Sequence, residues 1–390
     1  MSLPARSYLD HNATAPVRPA VAEAMARALA ELPGNPSSVH AEGRAARGAV
    51  ERARASVARL VNARPEAVVF TSGGTEACNA VLGPGTRRRG AERAEPALLV
   101  GATEHACCLD GHRFAANAVE RLPVDASGVI DLDRLGEGLA ARRARPVLVS
   151  VGVANAETGV LQPLSEVVRR AAGHPDALVH ADAVQAAGRI ALDFAASGLD
   201  ALSLSAHKLG GPKGVGALVL REGVACDRLL GGGGQERGLR AGTENVAGLV
   251  GFGLAADLAA EGLDAEAARL AGLRDGLLAR LRAAAPALVV FGEGAERLPN
   301  TLAFAVPRLA AETALIAFDL EGIALSSGSA CSSGKVRRSH VLAAMGVPPD
   351  LAACALRVSL GWSTTPADVD RFAAAFERRV ASLYERRNAA

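Results

Sequence analysis

Short apolar runs that alternate with helical patterns constrain the fold of this chain most. The runs are bounded by polar or glycine residues and have the length of buried strands. They lie at Glu66–Phe70, Ala97–Val100, Pro146–Val151, Ala177–His180 and Ala201–Ser205. The helical patterns lie at Val39–Leu60, Gly74–Val81, Leu132–Ala140 and Leu164–Ala172. This alternation predicts an α/β domain around a mostly parallel sheet, to which Gly214–Leu220 could add an antiparallel strand.

The pattern changes in the last third of the chain. From Thr243 it is helical for about forty residues, to around Ala285. Strands are then predicted at Leu288–Phe291, Asn300–Val306 and Ala355–Leu360, and helices at Ala310–Leu320 and Ala367–Arg387. This order predicts a smaller α+β domain after about residue 260.

Length and charge exclude several classes of protein. The 390 residues suggest two or three domains, and the net charge of +2 gives no electrostatic case for nucleic acid or a membrane surface. No uncharged apolar run reaches the roughly 18 residues of a membrane-spanning helix. The first residues, MSLPARSYLD, lack the apolar core of a signal peptide. We therefore expect a cytoplasmic protein with reduced thiols.

Only three residues are lysines, Lys208, Lys213 and Lys335, so any chemistry that needs a primary amine has three candidates. Lys208 ends the sequence Ser205-Ala206-His207-Lys208, directly after a predicted strand. Open α/β sheets place ligands at the carboxyl ends of their strands, and a buried lysine beside a histidine becomes a nucleophilic amine. The alternative is a surface lysine in a loop.

Asp182 also follows a predicted strand, 26 residues before Lys208, and Gln185 lies three residues farther on. Pyridoxal 5'-phosphate (PLP) requires a lysine for its Schiff base and a carboxylate that keeps its pyridine nitrogen protonated. The two residues fit those requirements. Taken alone, Asp182 would more often be a helix N-cap.

Two further strand ends carry polar motifs. In Thr71-Ser72-Gly73-Gly74-Thr75-Glu76 a predicted strand leads through two glycines into a predicted helix. The backbone N–H groups at such a helix start can bind an anion. The alternative is a tight turn with a threonine cap, which is common. Neither a Walker loop nor a dinucleotide G-x-G-x-x-G motif is present. In Thr103-Glu104-His105 the histidine could stack on a flat cofactor and move protons, or could be structural.

The six cysteines are Cys78, Cys107, Cys108, Cys226, Cys331 and Cys354. None has C-x-x-C spacing, so no metal site is expected. Cys331 lies in the Gly/Ser-rich segment Ser326–Gly334, which predicts a mobile loop whose thiol could act as a nucleophile. The adjacent Cys107 and Cys108 are interpreted as small buried hydrophobes.

Taken together, these blocks resemble the class V, fold type I PLP enzymes, and within them the NifS/IscS-type cysteine desulfurases. The similarity extends over nearly the whole chain. Besides the motifs above it includes Tyr8–Thr14, Asn35–His40, Asn155–Gly159, Gly232–Asn245 and Arg357. It implies a PLP-binding large domain at 15–258 with a seven-stranded type of sheet, and a small domain formed by 1–14 and 259–390.

The resemblance also implies roles for individual residues. Three residues would be catalytic. Lys208 would carry the cofactor, Cys331 would be the nucleophile, and His105 would stack on the cofactor ring. The remaining cofactor contacts would come from Gly74, Thr75, Asn155, Asp182, Gln185, Ser205, His207 and, from the second subunit of a homodimer, Thr243. Asn35, Asn155 and Arg357 would hold the substrate carboxylate.

The implied reaction converts L-cysteine to L-alanine and leaves a persulfide on Cys331. That sulfur would pass to a protein acceptor, such as an iron–sulfur scaffold, whose identity the sequence does not reveal. Ala154 and Ala156 depart from relatives that carry a second Asn there. The chain also lacks the longer C-terminal tail by which some family members dock their scaffold.

Four other functions remain in competition. A selenocysteine lyase or another class V aminotransferase would share the PLP site but would not depend on Cys331. A non-enzymatic PLP-binding or scaffold protein would be expected to lack Lys208, Asp182 or His105, and all three are present. A nicotinamide-dependent oxidoreductase is disfavoured because the G-x-G-x-x-G motif is absent.

Overall fold

The computed structural model describes residues 6–91, 95–327 and 338–388, with side chains described as far as residue 383. Its strands are β1 Ser7–Tyr8, β2 Val68–Thr71, β3 Arg87–Arg88, β4 Ala97–Gly101, β5 Val119–Leu122, β6 Val147–Ser150, β7 Ala177–Asp182, β8 Ala201–Ser205, β9 Gly216–Leu220, β10 Val224–Ala225, β11 Val289–Val290, β12 Thr301–Ala305, β13 Ile323–Ala324, β14 Ser326–Ser327 and β15 Ala355–Ser359. Its α-helices are α1 Pro19–Glu31, α2 Ala41–Leu60, α3 Gly74–Val81, α4 Ala106–Leu109, α5 Leu132–Ala140, α6 Leu164–Ala171, α7 Phe194–Ser197, α8 Val246–Ala260, α9 Leu263–Ala284, α10 Ala311–Leu320, α11 His340–Ala344, α12 Pro349–Ala352 and α13 Pro366–Asn388.

A seven-stranded sheet in the order β2-β9-β8-β7-β6-β4-β5 organises the larger part of the molecule. Neighbours from β8 to β5 pair in parallel, while β9 runs antiparallel to both β2 and β8. The predicted parallel sheet and the antiparallel course of Gly214–Leu220 are therefore confirmed. The strands β4, β6, β8 and β9 are buried along their whole length, which explains their nearly continuous apolar sequences.

A buried histidine joins three neighbouring strands of this sheet. The Nδ1 atom of His180 on β7 lies 2.9 Å from the hydroxyl of Ser150 on β6, and its Nε2 atom lies 2.9 Å from the hydroxyl of Ser203 on β8. Burial lowers the pKa of His180 to about 4, so the ring is neutral at pH 7 and one nitrogen donates while the other accepts. The polar side chains inside the sheet thus satisfy one another.

The smaller part of the molecule has its own antiparallel sheet, in the order β11-β12-β15-β14. Helices α9 and α13 pack against each other beside it, and phenylalanines 304, 318, 372 and 376 fill the core. The N-terminal strand β1 pairs in parallel with β13. The α+β arrangement expected after residue 260 is present, whereas the boundaries at 15–258, 1–14 and 259–390 stay a prediction.

The helical stretch predicted from Thr243 to around Ala285 is two helices, α8 and α9, which meet at a bend of 74°. The break falls at Glu261 and Gly262, where glycine lowers the cost of leaving the helical conformation. Within the described residues no single helix has both the length and the apolar character to cross a membrane. Helices α8 and α9 together meet the criteria of length and composition, but only as a pair bent by 74°.

Helix α1 and strand β5 are among the elements that were not predicted from the sequence. Helix α1 buries Val21, Ala24 and Ala28, and the two alanines weaken its apolar periodicity. Strand β5 is an edge strand with the sequence VERL, of which only Leu122 is fully buried. Edge strands carry polar and charged residues that disguise the strand pattern.

We predict that His180→Leu lowers the free energy of unfolding by about 2–4 kcal/mol, because it leaves the hydroxyls of Ser150 and Ser203 buried without their partner. Urea unfolding followed by circular dichroism measures the change. Ser203→Ala alone should cost less, since it removes one hydrogen bond. In the double variant His180→Leu/Ser203→Ala, the loss in free energy of unfolding should be smaller than the sum of the two single losses. A loss equal to that sum would show that His180 and Ser203 do not interact.

Candidate active site

The carboxyl ends of β7 and β8 bring the predicted site residues together. The parallel register places Asp182 opposite Ser203, and Ser205 ends β8. A single 3₁₀ turn, Ala206–Lys208, then carries the lysine away from the sheet edge. Parallel neighbours end on the same side of the sheet, so the acid and the lysine meet although 26 residues separate them.

The amine of Lys208 is held by the backbone of the N-terminal segment. Its Nζ donates to the carbonyl of Asn12 and, at 2.8 Å, to the carbonyl of Ala13. Gln185 Nε2 donates to the same Asn12 carbonyl at 3.0 Å. The structure therefore brings Lys208 and Gln185 together through one backbone oxygen.

Asp182 lies in a setting that does not favour its charge. Burial raises the pKa of its carboxyl to about 6, while the nearby side chains of His105 and Lys208 oppose that rise. Oδ1 accepts a hydrogen bond from the backbone N–H of Val184 at 2.9 Å. A cationic partner at this carboxylate would remove the unfavourable burial of a charge.

His105 is the N-cap residue of α4. Its Nδ1 accepts the backbone N–H of Cys107 at 3.2 Å, so the proton of the neutral ring resides on Nε2. The neighbouring Glu104 is buried, and burial raises the pKa of its carboxyl to about 8. Glu104 Oε1 accepts the N–H of Gly152 at 2.7 Å, which fixes the backbone just before His105.

The loop before α3 is packed tightly on one side and open on the other. A Cβ on Gly74 would lie 2.7 Å from Val184 Cγ2, and one on Gly216 would lie 2.5 Å from the carbonyl carbon of Gly73. A Cβ on Gly73 would meet nothing within 4 Å. The glycines thus leave the backbone N–H groups at the start of α3 accessible to an anion.

Two other residues predicted to bind the phosphate, Thr75 and Ser205, border this loop, and a third, His207, lies in the turn after β8. Thr75 is exposed in the first turn of α3, and Ser205 lies beside Gly74. The Nδ1 atom of His207 lies 3.1 Å from the hydroxyl of Thr14. Burial, followed by the charge of Lys208, lowers the pKa of His207 to about 4, so the imidazole is neutral at pH 7.

Asn155 and Arg357 are connected through the turn that begins at Asn155. Asn155 Nδ2 donates to the carbonyl of Thr103 at 2.9 Å, and its Oδ1 accepts the N–H groups of Glu157 and Thr158. Arg357, on β15, donates to the carbonyl of Ala156 at 3.1 Å. The tight turn that begins at Asn155 thus holds the arginine of the smaller sheet against the larger one.

The structure does not bring every predicted residue to this edge within one chain. Asn35 is exposed, and its Oδ1 accepts the N–H of Ser37 in a local turn. Thr243 is exposed and lines a cavity of about 190 Å³ with Thr71 and Ser72, next to the loop before α3. Cys331 lies outside the described residues.

The comparisons with known proteins agree with this geometry. The family model described as aminotransferase class V matches residues 7–372. The chain belongs to the class V aminotransferase family. An IscS-like cysteine desulfurase of Mycobacterium tuberculosis is 43% identical over 372 residues, covering 93% of this chain and 93% of that protein.

Solved structures give the same assignment. The NifS-like protein of Rickettsia africae superposes with a TM-score of 0.86 at 32% identity, covering 97% of this chain and 100% of that one. The structure of SspA in complex with cysteine superposes with a TM-score of 0.75 at 29% identity, covering 91% of this chain and 98% of that one. The expected fold type I architecture is confirmed.

Class V aminotransferases depend on PLP, and the residues of this chain fit that cofactor. The amine of Lys208, the buried carboxylate of Asp182 and the open loop before α3 correspond to its three recognition needs: an attachment point, a partner for the ring nitrogen and a phosphate cradle. His105 lies close enough to Asp182 to lower the pKa of its carboxyl.

Three residues of this class V enzyme were not recognised as functional from the sequence. Asn12 supplies the carbonyl that receives Lys208 and Gln185. Arg189 is buried and donates to the side chain of Gln185 and, at 2.8 Å, to its carbonyl. Asp10 accepts from Arg357 at 2.7 Å. The sequence offered weak signals for them. Asn12 and Asp10 lie in the segment Tyr8–Thr14 that carries part of the family resemblance, and Arg189 follows Gln185 by four residues.

Two carboxylates beside Arg357 hold the chain on either side of residues 328–337. Ser326 donates to Asp10 Oδ2 at 3.0 Å, and Ser339, the N-cap of α11, donates to Glu157 Oε2. Burial raises the pKa of Glu157 to about 7, although Ser339 and the charge of Arg357 both lower it. Glu157 therefore titrates close to physiological pH.

We predict that Glu157→Gln changes the pH dependence of stability. The folded-state pKa of Glu157 is above its ordinary value, so the folded wild type binds the proton more tightly and loses stability as pH rises from about 4.5 to 7. The variant lacks this loss, so its free energy of unfolding should gain on that of the wild type between pH 4.5 and 8. Urea unfolding across that range measures the difference.

Glu166→Gln is the matched control for this experiment. Glu166 is on the surface, and its bond to Arg169 lowers its pKa, so its substitution should produce no gain at high pH. A pH-independent difference between Glu157→Gln and wild type would contradict the elevated pKa.

Proposed function

We propose that this class V enzyme is a cysteine desulfurase, which converts L-cysteine to L-alanine and passes the sulfur to Cys331. The observation that carries the proposal is the convergence of the Lys208 amine and the buried Asp182 carboxylate at one sheet edge. The relatives named cysteine desulfurase, and the solved relative that holds cysteine, support this substrate. Cys331, in a Gly/Ser-rich segment, supplies the thiol.

When bound, PLP supplies an electron-withdrawing ring that stabilises negative charge at the substrate α-carbon. Asp182 holds the proton on the ring nitrogen, because burial makes an unpaired carboxylate at this position costly. Gln185, fixed by Arg189 and by the carbonyl of Asn12, orients the ring edge. His105 packs against the ring, with its protonated nitrogen set by the bond from Cys107.

Arg357 is the binding site that we assign to the substrate carboxylate. Its Nη atoms already donate to Asp10 and to the carbonyl of Ala156, which fixes the plane of the guanidinium. Its Nε atom is buried and has no hydrogen-bond partner among the described residues. This leaves a donor for a carboxylate, and Asn155 Nδ2 retains a second N–H for the same anion.

The sulfur step is a nucleophilic attack by Cys331 on the sulfur of the substrate. The amine of Lys208 would remove the α-proton of the substrate. The Cys331 thiolate then forms an S–S bond as the substrate C–S bond breaks, and the electron pair of that bond stays with the carbon skeleton. Protonation of the skeleton yields alanine, and the enzyme retains a persulfide.

We further propose a homodimer and a protein that accepts the persulfide sulfur. Thr243 is exposed in the cavity that it lines with Thr71 and Ser72, and in the proposed dimer it completes the phosphate site of the second subunit. The cytoplasm is the proposed compartment, since a reducing environment keeps the thiols available. The described cysteines are all free thiols, which is consistent with that compartment.

We predict that Cys331→Ser abolishes desulfuration. The purified holoenzyme is incubated with L-cysteine and a thiol reductant, and alanine and sulfide are quantified. The wild type should release equal amounts of both, and Cys331→Ser should lose nearly all of both because hydroxyl oxygen cannot carry sulfane sulfur. Cys226→Ser is the control. It removes a partly buried cysteine that has no role in the proposed mechanism, so it should retain wild-type release.

Two outcomes would redirect this proposal. Alanine production that survives in Cys331→Ser would favour a lyase of the selenocysteine type, in which no enzyme thiol is required. Absence of both products from a wild type that binds PLP would point to another substrate or to a missing activating partner.

We predict that mixed dimers restore activity between two inactive variants. Lys208→Ala removes the amine, and Thr243→Asp places a negative charge where the cofactor phosphate would bind. If Thr243 acts on the second subunit, a dimer of one chain of each variant contains one intact site and should recover up to about half of wild-type activity. No recovery from co-expressed, doubly tagged dimers would place Thr243 in the site of its own chain.

A further inference from the structure

Three cysteines to which the proposed mechanism gives no role converge beneath the Asp182 carboxylate. Cys78 belongs to α3, and Cys107 and Cys108 belong to α4. The three Sγ atoms and one carboxylate oxygen of Asp182 all lie within 4.8 Å of one another. No spacing along the sequence indicated this group, because the fold joins residues that are about thirty positions apart.

The ligand set and its dimensions suit a thiophilic cation. Tetrahedral Zn²⁺ with bonds of about 2.3 Å to sulfur places its ligand atoms roughly 3.8 Å apart. The Sγ atoms of Cys107 and Cys108 are 4.0 Å apart, and no pair of ligand atoms needs to approach by more than about 1 Å. Cysteine sulfur selects soft d¹⁰ ions over Mg²⁺ or Ca²⁺.

Burial indicates how an ion could reach these ligands. Cys78 and Cys108 are inaccessible to solvent, and Cys107 is 8% exposed. Part of Asp182 remains exposed at the end of β7, although its carboxyl group is enclosed. The open side of the group is therefore the side on which Asp182 serves the cofactor.

We propose that Cys78, Cys107, Cys108 and Asp182 form a binding site for a thiophilic d¹⁰ cation of the Zn²⁺ class, which competes with PLP for Asp182. The thiols lose their protons to water as the cation binds, so no oxidant or reductant takes part. The ammonium group of Lys208 acts on Asp182 and offsets part of the negative charge of the filled site. The inference does not require desulfurase activity.

The experiment uses Cd²⁺ alone as the probe, because cadmium thiolates absorb in the ultraviolet. The full chain carries Cys331→Ser, which removes the thiol of the 326–334 segment, and is kept reduced with a phosphine. Samples with and without PLP are titrated, and bound metal is counted by mass spectrometry after dialysis. Circular dichroism verifies that the PLP-free chain remains folded.

We expect one Cd²⁺ per PLP-free chain with a thiolate charge-transfer band, and release of PLP colour when Cd²⁺ is added to the holoenzyme. Cys78→Ser and Cys108→Ser should each weaken binding by at least about tenfold, since each removes a ligand. Cys354→Ser, which removes a buried cysteine of the smaller part of the molecule, is the matched control and should bind as before.

Two results would overturn the inference. Absence of the charge-transfer band in the folded PLP-free chain would show that the cysteines are only packed together, and this measurement requires no cluster variant. Equal Cd²⁺ affinity with and without bound PLP would remove Asp182 from the ligand set.

Discussion

The parallel pairing of β7 with β8 is the constraint on which the site depends. Its register sets Asp182 opposite Ser203 and brings the turn that carries Lys208 to the same sheet edge. A slip of one residue would turn Asp182 to the opposite face of the sheet. The hydrogen bonds of His180 to Ser150 and Ser203 support that register, because they connect β7 to both neighbouring strands.

A second level of organisation connects the two parts of the molecule through backbone carbonyls. Asn12 receives Lys208 and Gln185 with its carbonyl, while its side chain donates to Thr301 of the smaller sheet at 2.9 Å. The carbonyl of Ala156 likewise receives both Asn12 and Arg357. The amine and the arginine are thus positioned by a shared set of peptide groups rather than by separate loops.

Local patterns were sufficient for the sheet and for the residues at strand ends, because buried parallel strands have distinctive apolar runs and their carboxyl ends share an edge. Lys208 and Asp182 could be paired from the sequence for that reason. The pattern could not reveal Asn12 or Arg189, whose roles depend on backbone contacts across long sequence distances. It also missed α1 and β5, since alanine and edge-strand charges weaken the periodic signal. The roles of individual site residues stay a prediction.

The position of β1 has a consequence for the order in which the protein is completed during synthesis. Ser7 pairs with Ile323, and the N–H of Ser359 bonds the carbonyl of Leu9, so the N-terminal strand emerges long before its partners exist. At ribosomal rates of about 5–20 residues per second, it waits roughly 15–60 s for β13. The strands of the larger sheet can pair within that interval. Anchoring of Lys208 by Asn12 therefore belongs to the last stage of folding, after the sheet that presents the lysine.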